Sequence, residues 1–193
     1  MDTYNKGFIY FICFVSAMGG LLFGYDWVVI GGAKPFYEVF FGITDKPVIQ
    51  GWAMSIAILG CMLGAVYSGK VADLYGRKRL LILASILFLV SAYATGATSD
   101  FNMFLFARFI GGVGIGIASS LSPMYIAEVS PKPMRGRLVS LNQLSIVVGI
   151  LGAQIINWLI AENVPDNFSN PEILVSWNGQ SGWRWMFWAE AVP

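Results

Sequence analysis

The chain contains no histidine and only two cysteines, and charged residues make up just 12% of its 193 positions. Without an imidazole, His-based metal sites and every Ser-His or Cys-His catalytic arrangement are excluded. Cys13 and Cys61 both lie in apolar runs, which reads as two buried thiols rather than a disulfide. The charge content is half of the ~25% typical of soluble domains. So few charges cannot cover a globule of this size, which excludes an ordinary soluble domain, a disordered chain and a disulfide-stapled secreted scaffold. Neither sign of charge dominates: 12 Lys and Arg stand against 11 Asp and Glu. The balance gives no footprint of a nucleic-acid partner.

What is abundant is apolar sequence, 56% of the chain. A spanning helix needs about 20 mostly apolar residues, and five stretches supply them, near 8–33, 49–71, 80–99, 102–126 and 138–161. A sixth begins near 182 and is cut off at Pro193, so the chain is expected to be a piece of a longer protein. Lipid leaves unpaired backbone groups unsatisfied, and strand alternation is absent, so the spans are predicted to be helices. The first stretch is longer than the apolar region of a signal peptide and is preceded only by Lys6, so it reads as a retained span.

Lys6, Lys70, Arg77, Lys78, Arg79, Lys132, Arg135 and Arg137 fall on one side of these spans, and only Lys34, Lys46 and Arg184 on the other. The positive-inside rule then predicts a cytoplasmic N-terminus. The 5–6 connection, about 162–181, becomes external, and its Asn167-Phe168-Ser169 fits a glycosylation sequon.

Three ionisable residues fall inside spans: Asp26, Arg108 and Glu190. A charge at a helix centre costs ~2.5–3.5 kcal/mol on insertion scales, and such residues usually face a bundle interior or a water-filled path. All three sit at comparable depth in the same half of the membrane. That placement suits an Asp26–Arg108 pair with a second carboxylate nearby, working as a proton switch; a static packing pair is the bland alternative. In span 5, Asn142, Gln143, Gln154 and Asn157 add amides, and Gln143 and Gln154 share a face. An amide offers a donor and acceptors to a polyhydroxylated ligand, although interhelical hydrogen bonding explains it equally well.

Gly111-Gly112-Val113-Gly114-Ile115-Gly116 has no strand before it, so close helix packing is expected there, and at Gly60 and Gly64, rather than phosphate binding. The 2–3 loop is read as Gly69 to Arg79, with Asp73 capping a helix and drawing in the following basic residues. The 4–5 segment is read as pairing Glu128 with Arg135 and Arg137 across a Pro-stiffened turn.

Gly69-x-x-x-Asp73-x-x-Gly76-Arg77-Lys78 resembles the 2–3 loop signature of the major facilitator superfamily. Arg108-x-x-x-Gly112-x-Gly114-x-Gly116, Pro123-x-Tyr125-x-x-Glu128 and Arg135-Gly136 look like the sugar porter family within it. So do Gly19 to Asp26 and Gly182-Trp183-Arg184-Trp185-Met186-Phe187. The resemblance implies an all-α membrane protein, the N-terminal six-helix half of a twelve-helix fold, with residues 1–193 forming five full spans and the start of the sixth. The C-terminal half would be absent.

It further implies a sugar/proton symporter, for a pentose or hexose such as D-xylose, working by alternating access in the cell membrane. Asp26 matches the proton-coupling acid, Arg108 its partner and Glu190 an acidic position of proton-coupled members. Facilitative carriers typically have Asn in place of Asp26. Gln143 matches a sugar-contacting glutamine and Phe23 a cavity-lining aromatic. Ile150 stands where proton-coupled members have a second glutamine. Asp73, Arg77, Glu128 and Arg135 fall on the cytoplasmic salt-bridge positions. The implied partners are a monosaccharide, a proton, the bilayer and the missing half, with no nucleic acid, cofactor or metal and no covalent catalysis. A facilitative carrier and a membrane sensor or interaction protein are the alternatives.

Overall fold

In the computed structural model, residues 5–163 and 169–192 are described; the expected sequon at Asn167 lies outside them. Five long helices form the body: α1 Lys6–Phe40, α2 Pro47–Tyr75, α3 Arg77–Ala97, α4 Phe101–Val129 and α5 Arg135–Ile160. All five are long and apolar enough to cross a membrane. A short helix, α6 Asn170–Val175, and a π-helical turn over Asn178–Gly182 lead into α7, Trp183–Ala189, which begins where the sixth span was expected.

Helix α1 runs past the expected end at 33, straight through Pro35 to Phe40. Proline removes one helical hydrogen bond, but here the continuation buries Phe36, Tyr37 and Val39 in the core, and neighbouring helices make such a proline tolerable in membranes. Pro123 likewise lies inside α4, within the span expected over 102–126. Most of the expected 2–3 loop is helix: α2 continues to Tyr75 and the connection narrows to Gly76, at φ +87°. That left-handed conformation is open to glycine without the Cβ penalty. Asp73 therefore caps nothing, since Gly76 precedes α3 with no side-chain cap.

Between helices in lipid, close packing does what water exclusion does elsewhere. Helices α2 and α4 meet backbone to backbone: a Cβ on Gly112 would overlap the Ala57 carbonyl, one on Gly116 that of Cys61, and one on Gly60 that of Phe109. The expected packing role of these glycines is thus realised. Helix α1 meets α5 the same way, Gly24 lying against the Ile146 carbonyl. At the end away from the α2–α3 and α4–α5 connections, Tyr37, Phe104, Trp183 and Phe187 are fully buried. Tyr37 and Phe104 have ring centroids 5.3 Å apart, Trp183 and Phe187 6.3 Å. Asn178 fastens α5 to the sixth segment by accepting from the Glu162 N–H at 3.0 Å and donating to its carbonyl at 2.9 Å. Phe8, Phe11, Val66, Tyr67, Tyr93 and Trp158 stay on the outside, the apolar surface a bilayer requires.

Candidate functional site: a buried ion pair beside a cavity

The α1–α4 contact brings Asp26 against Arg108. The guanidinium donates twice to the carboxylate, Nη1 to Oδ1 and Nη2 to Oδ2, the latter at 3.0 Å. The fork matches the carboxylate geometry, which makes this the stronger kind of hydrogen-bonded pair. Asp26 is 5% and Arg108 2% exposed, so neither charge has the solvation that would make the contact optional.

The sixth segment closes over the pair. Phe187 of α7 lies 5.5 Å from the Arg108 guanidinium carbon. Glu190, less than a turn further on, is 2% exposed and adjoins Asp26; its Oε1 has no hydrogen-bond partner. The three ionisable residues singled out in the spans thus come from three helices into one cluster. Two carboxylates and one guanidinium sum to a single negative charge, so the buried cluster is neutral when it holds one proton. The sequence reading missed the tyrosines around it. Tyr25, next to Asp26 in sequence, and Tyr37 are both buried with unpartnered hydroxyls. The available signal was spacing: Tyr37 lies eleven residues beyond Asp26, about three turns along one face.

A cavity of about 310 Å³ opens onto the pair between α1, α2 and α4, with Phe23, Trp27, Met54 and Cys61 among its walls. A second, of about 800 Å³, lies between α4 and α5 near their connection, lined by Ser119, Lys132, Arg135, Asn142 and Gln143. Phe23 and Gln143 therefore line different cavities, and Ile150, half-buried on α5, lines neither. Gln143 and Gln154 are both exposed, as their shared face requires.

At the basic end, Arg77 bridges two acids: Nη1 lies 2.6 Å from Asp73 and Nε 3.2 Å from Glu128. The expected pairing of Glu128 with Arg135 and Arg137 is corrected here. Close α2–α4 packing carries the elbow at Gly76 to the end of α4, so Arg77 reaches Glu128 first. Arg135 instead opens α5 at the mouth of the second cavity.

Membrane-length helices packed through glycine, around a buried acid–guanidinium cluster that opens on a cavity, define the N-terminal half of a major facilitator transporter. Against the solved proton:xylose symporter XylE bound to 6-bromo-6-deoxy-D-glucose, the TM-score is 0.84 at 34% identity, over 98% of this chain and 43% of that one. Against the inward-open xylose transporter XylE from E. coli it is 0.83, over 96% and 45%.

The family model for sugar (and other) transporters matches residues 12–193, and the chain belongs to that family. Over its full length it is 44% identical to a glucose transport protein of Synechocystis and 34% identical to the D-xylose-proton symporter of Escherichia coli K12. Over 99% of its length it is 35% identical to the arabinose-proton symporter of Bacillus subtilis. The chain spans about 40% of the length of these curated relatives. It is a multi-pass membrane protein of a transporter family, not of an enzyme family.

Proposed function

We propose that residues 1–193 form the N-terminal half of a sugar/proton symporter, with Asp26 as the acid that takes up the proton and Arg108 and Glu190 as its charge partners. The observation that carries the reading is the buried Asp26–Arg108 pair, joined by Glu190 and exposed to a cavity. Protonating Asp26 removes the charge that holds the guanidinium. Glu190 then offers the other carboxylate, so the cluster has two arrangements separated by one proton. One elementary charge moved through the field is worth ~2.3 kcal/mol per 100 mV, enough to drive useful accumulation of a monosaccharide.

The substrate on this reading is a pentose or hexose, D-xylose-like, contacted by Phe23 in the cavity beside the pair together with groups of a C-terminal half; Gln143 and Ile150, expected as further contacts, lie outside that cavity. Asp73, Arg77 and Glu128 latch the basic end in one conformation, and Arg135, expected to join them, lines the second cavity. The basic end faces the cytoplasm, which puts the N-terminus inside and the carrier in the cell membrane. The experiment is sugar-induced proton uptake by proteoliposomes of the full-length carrier. Wild type takes up protons with sugar, while Asp26→Asn keeps counterflow and loses both proton uptake and accumulation. Accumulation by Asp26→Asn refutes the role of Asp26. Wild-type transport with no proton uptake instead supports facilitated diffusion.

A further inference from the structure

Trp27 follows the coupling acid in sequence and differs from every other large residue around it. It is 54% exposed in the middle of α1, whereas Tyr25, Asp26, Val29 and Ile30 are buried. Its indole does not face open surface alone: it walls the 310 Å³ cavity whose other lining includes both members of the ion pair. Phe23, one turn earlier, meets it edge to face, with centroids 6.5 Å apart and planes at 67°. The two rings make an aromatic corner on the cavity wall, with Trp27 more than half exposed. Ser55 and Cys61 of α2 also line the cavity.

From this geometry we infer that Trp27, supported by Phe23, is a stacking platform for the ring of the transported sugar and sets its stereochemical preference. The inference rests on the symporter reading. Its chemistry is that of a π face meeting C–H bonds. A pyranose whose hydroxyls are all equatorial carries its axial hydrogens above and below the ring, leaving an apolar face that lies flat on an indole. An axial hydroxyl blocks the face it projects from, because stacking there would strip its hydrogen-bonding water without replacing it, so a sugar with one axial hydroxyl has a single stacking face where an all-equatorial sugar has two. The platform therefore selects the all-equatorial sugars D-glucose and D-xylose over D-galactose, D-mannose and L-arabinose. Seating the ring here also places it beside Asp26 and Arg108, so sugar and proton occupy one cavity.

The test is counterflow of labelled D-glucose in proteoliposomes of the full-length carrier, with the five sugars as competitors, for wild type, Trp27→Phe and Trp27→Thr. Wild type is expected to be inhibited best by D-glucose and D-xylose. Trp27→Phe keeps that order, which also shows that the site survives substitution. Trp27→Thr raises the KM for D-glucose about tenfold, the scale of one lost aromatic contact, and brings the five sugars closer together. Sugar-dependent quenching of tryptophan fluorescence is expected in wild type and reduced in Trp27→Phe. If wild type transports and Trp27→Thr keeps both KM and selectivity, the platform is refuted while the symporter reading stands. If wild type moves none of the five, the symporter reading fails and takes the platform with it.

Discussion

Replacing Asp26 by Leu, Arg108 by Met, and then both together, tests whether the pair is one buried unit. Each single change leaves a charge in a site 5% exposed or less. Removing one partner of a buried pair costs ~3–5 kcal/mol, because the other is left uncompensated. The structure makes the two costs unequal. After Asp26→Leu, Arg108 still has Glu190 as a nearby counter-ion, so the loss falls at the lower end of that range. After Arg108→Met, two carboxylates remain with no cation among them, so the loss falls at the upper end. The double variant fills the couple's space with apolar atoms and leaves Glu190 as the one carboxyl of the cluster, which is neutral when it holds a proton. It is expected to be more stable than Arg108→Met and to recover about 2–3 kcal/mol relative to the sum of the singles, within the range seen for coupled neighbours. The assay is unfolding of the chain in mixed micelles by SDS titration, followed by circular dichroism. Losses that add to within ~0.5 kcal/mol would show two independent residues, and the reasoning from a shared buried couple would be wrong.

Two further outcomes follow from packing and capping. Gly112→Val drives a side chain into the Ala57 carbonyl, and overpacking of this kind costs ~1–3 kcal/mol or more. Gly152→Ala meets nothing within 4 Å and should stabilise α5 by ~0.5–1 kcal/mol through helix propensity. The same SDS titration reads both, and a Gly112→Val chain as stable as wild type would refute the backbone contact. At α6, the backbone N–H and hydroxyl of Ser169 each donate to Glu172 Oε2 at 2.7 Å. These bonds, the backbone one first, hold the Glu172 carboxyl below its ordinary 4.5. A depressed native value means the cap's contribution is complete above pH 4.5 and is lost as pH falls through that lower value. Hydrogen-exchange protection of Asn170–Val175, corrected for intrinsic rates, should therefore fall at acid pH in wild type and stay flat in Glu172→Gln. Identical profiles for the two would remove the cap from the account.

The spans were legible because lipid leaves the backbone one local solution. Twenty apolar residues that must satisfy their own hydrogen bonds become a helix whatever lies beside them. The same solvent made Asp26, Arg108 and Glu190 conspicuous, since a charge in a span needs a reason. Helix ends were less legible. The first span was expected to end near 33, but Phe36 and Tyr37 have a core to enter, and only the packed bundle contains that core.

Partner choice was the least legible. Arg135 and Arg137 are near Glu128 in sequence, yet Glu128 pairs with Arg77, fifty-one residues away, because glycine lets α2 lie against α4. Trp27 is another case: its sequence neighbours are buried, and only the fold shows that its indole walls the cavity holding the pair.

Composition and periodicity by themselves determined that this is a bundle of membrane helices with three buried charges at one depth, because those properties depend on the solvent and on local hydrogen bonding. The tertiary structure alone decided which charge meets which, where the cavities open and which aromatic faces them, because each depends on distances between helices that no local stretch of sequence contains.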